Sequence, residues 1–151
     1  MKRNSVILIP ALNPDKELIQ YIQELKRNGF DDIIVVNDGS SAEYLDIFER
    51  AKQMDCKVLQ HAVNLGKGRA LKNGFNEFLN LYQDNPDISG IITVDSDGQH
   101  AVKDVIQIDD WWKKNKCAEL LLGSRNFKLA GVPFKSRAGN QTVSYTHLRA
   151  H

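Results

Sequence analysis

Four short apolar runs separated by segments of helical spacing are what most constrains this chain. Strands that alternate with helices pair in parallel, and the intervening helices cover the resulting sheet. Residues 5–10 (SVILIP), 32–37 (DIIVVN), 57–61 (KVLQH) and 89–94 (SGIITV) supply the runs, the third being the weakest. After the first run, Asn13 and Pro14 read as a helix cap and a first-turn proline, Leu18, Ile22 and Leu25 mark one helical face, and Gly29 reads as the terminator. A second helix is expected around residues 43–54. Ala70, Leu71, Gly74, Phe75, Phe78, Leu79 and Tyr82 then repeat at helical spacing, the strongest such pattern in the chain. A helix over 105–112 and a strand over 119–122 are expected next, and from Gly123 onward the pattern becomes loop-like and basic. The fold predicted is α/β, Rossmann-like, with a mostly parallel sheet and helices on both faces, and without internal repeats.

At 151 residues and 42% hydrophobic content the chain fits one core. Its 20 basic and 19 acidic residues give a net charge of +1, so no global field draws it to nucleic acid. The two cysteines, Cys56 in an apolar pattern and Cys117 at a helix end, form no CxxC or Cys/His set. That usage predicts a reduced, cytoplasmic protein without structural zinc. The apolar run after Met1-Lys2-Arg3 is broken at Pro10, too early for a signal peptide. No segment approaches the roughly 20 apolar residues that span a bilayer, so association with a membrane is expected to be peripheral at most.

In an open parallel sheet, ligands bind outside the carboxyl ends of the strands, and polar turns fall there at residues 10–13, 38–41 and 95–99. Asp95 and Asp97 lie two apart on such a turn and can face one hard cation, magnesium or manganese, that keeps positions open for phosphate oxygens. The plainer alternative is a pair of turn aspartates that start a helix. Asp38 can accept from a base or ribose, or serve as a cap. The loop Asn64-Leu65-Gly66-Lys67-Gly68-Arg69 can offer amides and cations to a diphosphate at a helix N-terminus, or can simply begin that helix. It is not a Walker A loop. Arg125, Lys128, Lys135 and Arg137 suit a second anion or an exposed loop. His61 and His100 lack metal-ligand spacing, and Cys56 reads as core.

Ile9-Pro10-Ala11-Leu12-Asn13, Val36-Asn37-Asp38-Gly39-Ser40, Asn64-Leu65-Gly66-Lys67-Gly68, Asp95-Ser96-Asp97-Gly98-Gln99-His100 and Gly123-Ser124-Arg125 occur in this order. Together they resemble the family 2 glycosyltransferases of the GT-A fold, and within them the polyprenyl-phosphate (dolichyl-phosphate type) branch. The resemblance covers residues 6–140. It implies a nucleotide-sugar site built from Pro10, Ala11, Asn13, Asp38, Gly66, Lys67, Arg69, Asp95 and Ser96. It further implies a divalent metal, Mg2+ or Mn2+, at Asp95 and Asp97 with Gln99 as a further metal-side contact. Asp97, Arg125 and Arg137 are the implied catalytic residues, the two arginines holding the phosphate of a polyprenyl phosphate acceptor. Two positions depart from the family pattern: Asn37 stands where a first aspartate is frequent, and Asn13-Pro14 replaces an Asn-Glu pair.

The reaction implied is inverting transfer of a sugar from a UDP- or GDP-linked donor to a polyprenyl phosphate or a glycan, at the cytoplasmic membrane face. The rivals are a sugar-phosphate nucleotidyltransferase and a noncatalytic nucleotide-sugar-binding module. The first would carry a glycine-rich basic loop directly after the first strand, where Pro10-Ala11-Leu12-Asn13 stands instead. Residues 1–141 are expected to form the nucleotide-sugar-binding domain, incomplete at its C-terminal side. Residues 142–151 are expected to be a non-native or disordered tail, in which residues 143–151 resemble a translated adapter sequence. An incomplete sheet would expose an edge and favour self-association.

Overall fold

Alternation of side chains along each strand decides where everything else packs. In the computed structural model, which describes residues 2–115, β1 (Ser5–Ala11) is buried along its whole length. Its odd positions Ile7, Ile9 and Ala11 join one apolar cluster, while Val6 and Leu8 join another on the opposite face. The first cluster is closed by α1 (Glu17–Arg27), α2 (Leu45–Gln53) and α4 (Val102–Lys114). The second lies under α3 (Lys67–Tyr82). Strands β2 (Ile33–Asn37), β3 (Lys57–Gln60) and β4 (Gly90–Thr93) complete a parallel sheet of order β3-β2-β1-β4. This is the α/β, helix-on-both-faces architecture expected from the sequence.

Most element positions agree with the apolar periodicity. The first helix ends at Arg27, and Gly29 adopts φ 90°, a left-handed conformation that glycine takes without steric penalty. The second helix opens with a 3-10 turn, Ala42–Tyr44. Cys56 is buried, and burial pushes its thiol up to about 11, as suits a core residue rather than a nucleophile.

The start of α1 differs from expectation. Asn13 does not cap the helix, and Pro14 is not its first residue, because α1 begins at Glu17. Asn13 sits at φ 47° and is used across the loops instead: its amide donates to Ser40 Oγ at 2.9 Å, and the Ser41 amide donates to its Oδ1 at 2.9 Å. Asp15 Oδ1 accepts the Glu17 amide at 2.9 Å, serving one of the donors left over at the helix start. A tertiary clasp between the β1 and β2 loops has displaced the local cap.

Helix α3 carries the strongest apolar pattern, yet only Ala70 and Gly74 in it are buried. Leu71, Phe78 and Tyr82 pack half-buried on the sheet, whereas Phe75 and Leu79 are exposed. The helix lies close on β1 at Gly74, where an added Cβ would come within 2.3 Å of Leu8 Cδ1. At the far end of β1, fully buried Asp109 of α4 accepts from Ser5 Oγ at 2.6 Å, Arg3 Nη1 at 2.5 Å and Lys113 Nζ at 2.9 Å. Burial alone would raise the Asp109 carboxyl, but these donors outweigh it and hold it below the usual carboxylate range.

Candidate active site

Three strands of the sheet deliver their following turns to one edge, and α3 begins there. Pro10, Ala11, Leu12, Asp38, Asn64, Gly66, Lys67, Ala70, Asp95, Ser96 and Asp97 line a cleft of about 400 Å³ at that edge. Its location is the crevice outside the strand ends where open parallel sheets take their ligands.

One end of the cleft is built on Asp38, only 3% exposed. His61 Nδ1 lies 2.7 Å from its Oδ1, and the Leu65 amide donates to the same oxygen at 2.9 Å. Burial alone would raise this carboxyl, but the hydrogen bonds from His61 and from the Leu65 and Gly66 amides prevail and hold it low. The loop carrying Leu65 reaches Asp38 because the next residue is glycine. Gly39 has φ 73°, and a Cβ there would stand 2.1 Å from the Val63 carbonyl carbon. Beneath the turn, fully buried Asn37 accepts the Ser40 amide at 2.9 Å and donates to Gln60 Oε1 at 2.8 Å. An aspartate at this position would lack that donor.

The other end is more open. Lys67, the first residue of α3, extends Nζ to within 2.5 Å of Asp95 Oδ1, the two side chains being 62% and 35% exposed. His100 Nε2 stands 3.3 Å from Asp95 Oδ2. Against the upward push of partial burial, Lys67 and His100 hold the Asp95 carboxyl low. Asp97 Oδ1 accepts the Gln99 amide at 3.1 Å across the turn at Gly98. Gly66 caps α3 without a side-chain hydrogen bond, so no side chain satisfies the leading amides of this helix from the capping position.

Of the site residues expected from the sequence, Pro10, Ala11, Asp38, Gly66, Lys67, Asp95, Ser96 and Asp97 border the cleft, while Asn13, Arg69 and Gln99 do not. Arg125 and Arg137 lie outside the described residues. Among the described residues no group of three or more His, Cys, Asp and Glu side chains converges as a metal site. Two carboxylates, Asp95 and Asp97, nevertheless line the cleft as an oxygen donor set, and the Lys67 ammonium places a positive charge against one of them. That set fits a hard cation whose remaining positions go to substrate oxygens and water. Sequence reasoning did not anticipate the contact of His61 with Asp38 or that of Asn73 with His61. The available signal was that His61 directly follows a strand, at the same sheet edge as the other polar turns.

Comparison with known proteins agrees with this architecture. Residues 6–122 match the model of glycosyl transferase family 2. An uncharacterized protein of Methanocaldococcus jannaschii is 39% identical over 145 residues, covering 92% of this chain and 55% of the relative. The UDP-N-acetylglucosamine–dolichyl-phosphate N-acetylglucosaminyltransferase of Methanococcus voltae is 28% identical over 158 residues, covering 92% of this chain and 60% of that enzyme. The chain thus spans somewhat more than half the length of these relatives. A match over most of the sequence, on a parallel sheet with polar turns at its carboxyl edge, leads to one conclusion: the chain belongs to glycosyl transferase family 2.

Proposed function

We propose that this chain is the donor-binding part of a divalent-metal-dependent, inverting glycosyltransferase that moves a sugar from a nucleoside diphosphate to a polyprenyl phosphate. The observation that carries the proposal is the single cleft joining Asp38 at one end to Asp95 and Asp97 at the other, with the start of α3 between them. A nucleoside diphosphate has the same three-part chemistry: a base with hydrogen-bond donors, an anionic linker, and charge that calls for a cation.

Asp38, ionised at neutral pH, suits a base that presents an imino N–H, as uracil and guanine do. The leading amides of α3 and the Lys67 ammonium suit the diphosphate. Asp95 and Asp97 would hold Mg2+ or Mn2+, which when bound neutralises charge on the departing nucleoside diphosphate. To bind the diphosphate, Lys67 must leave Asp95, an exchange of one ionic partner for another on a solvent-exposed pair.

A phosphate acceptor is already an anionic nucleophile and needs no strong general base. Arg125 and Arg137 are assigned by sequence to hold it and to offset repulsion between two phosphorylated substrates. The named activity of the Methanococcus voltae relative supports a dolichyl-type acceptor. No helix among the described residues is long and apolar enough to cross a membrane, so this part of the protein would meet such an acceptor at the bilayer surface.

The test is donor binding by the double variant Asp95→Ala, Asp97→Ala. It should lose metal-dependent affinity for the donor nucleotide while keeping its fold by circular dichroism. Undiminished metal-dependent binding in that variant rules out the assignment.

A further inference from the structure

We infer that His61 is the positioning residue of the nucleoside end of the cleft, fixing Asp38 through Nδ1 while Asn73 of α3 fixes His61 through Nε2. The inference rests on the reading of Asp38 as the group that meets the base.

His61 is 7% exposed and follows β3 directly. Its two ring nitrogens have different partners: Asp38 Oδ1 is 2.7 Å from Nδ1, and Asn73 Nδ2 is 2.8 Å from Nε2. With the Asn73 amide donating, Nε2 accepts, and the ring hydrogen resides on Nδ1 and points at the carboxylate. The result is an imidazole N–H donating to an ionised aspartate.

Asp38 Oδ1 also accepts the Leu65 amide, so this one oxygen is held from β3 and from the loop leading to α3. Rotating the carboxylate breaks both bonds. Asn73, in the body of α3 nearly two turns from its start, connects that setting to the helix whose first residues border the cleft. A histidine that only filled core volume would need partners for its nitrogens, but not partners drawn from a cleft-lining acid and from the helix that opens onto the same cleft. An acceptor fixed in place before the ligand arrives binds without further ordering cost, which is the advantage such a residue confers.

Two substitutions separate the two ring nitrogens. His61→Asn keeps an amide N–H near the position of Nδ1, while His61→Gln reaches toward Nε2 and abandons Asp38. The wild type and both variants are titrated calorimetrically with UDP, with GDP and with inorganic pyrophosphate, all in Mn2+, and each is checked by thermal unfolding. The wild type should bind one nucleoside diphosphate at least about tenfold more tightly than pyrophosphate. His61→Gln should lose about tenfold for that nucleotide and stay within about twofold for pyrophosphate, with His61→Asn within about threefold of wild type for both.

Unchanged nucleotide affinity in His61→Gln overturns the inference, as does a parallel loss for pyrophosphate, which would mark a purely structural role. If His61→Gln does not fold, loss of nucleotide preference in a folded His61→Asn protein overturns it equally. A wild type that fails to prefer the nucleotide over pyrophosphate refutes instead the reading of Asp38 on which the inference rests.

Discussion

Asp38 and Asp95 are the same residue type at the same topological position, each just past the end of a parallel strand and each bordering one cleft, yet their settings are opposite. Asp38 is buried, and its Oδ1 is held by a buried histidine ring and a backbone amide. Asp95 is about one-third exposed and meets a lysine that is itself mostly in solvent. Backbone amides and buried rings cannot move away without unfolding something, whereas a surface lysine exchanges partners at little cost. The Asp38 end of the cleft is therefore fixed in advance, and the Asp95 end is open to an exchange of partners.

That contrast breaks first at Gly39. Gly39→Ala would place a Cβ against the Val63 backbone and force alanine to φ 73°. The left-handed strain of about 1–2 kcal/mol and the overpacking of about 1–3 kcal/mol should together cost about 3 kcal/mol in chemical denaturation. A loss below about 1 kcal/mol would mean that the Asp38 turn is looser than its contacts imply.

Asp38→Asn should cost less, about 2 kcal/mol, since buried hydrogen bonds to a charged group are each worth about 1.5–3 kcal/mol. Its pH dependence sharpens the point. A carboxyl held low in the folded protein contributes stability that is fully present above its unfolded value of about 3.9 and is lost as pH falls through the folded value. The wild type should therefore lose its advantage over Asp38→Asn below about pH 4, and a difference that instead grew toward acid would contradict the assigned ionisation.

The smallest effect on stability is expected at the exchanging end. Lys67→Met should change unfolding free energy by no more than about 1 kcal/mol, because the pair is exposed and screened. The same substitution should still weaken donor nucleotide binding by about tenfold, measured by titration. A large loss of stability with intact binding would reverse the roles assigned to the two ends.

The fold was legible in the sequence wherever local periodicity and burial agree. Apolar runs such as Val6 to Ile9 and Ile33 to Val36 have no other use than a sheet covered on both faces, and β1 and β2 are buried accordingly. Asn13 misled because a cap is a local bond, and here its side chain accepts from the Ser41 amide instead, while its backbone N–H donates to the Ser40 hydroxyl. The apolar stripe of α3 overstated its burial, since Phe75 and Leu79 belong to the pattern but lie outside the contact with the sheet.

At the candidate site, the turns containing Asp38 and Asp95 could be read because strand ends converge by topology. The link from Asp38 to His61 and on to Asn73 could not, because it joins three elements through side chains with no fixed spacing in sequence. Asn37 shows the same limit: its two hydrogen bonds reach a turn and a neighbouring strand, and only the register with Gln60 reveals why an amide suits that position.

The most direct measurement of the central claim is calorimetric titration of the wild-type chain with UDP-N-acetylglucosamine, UDP-glucose and GDP-mannose, each with Mn2+ and again with chelator. The cleft predicts binding of at least one donor that requires the metal and disappears with chelator. Donor binding of equal strength in chelator, or no binding of any donor by folded protein, would contradict it.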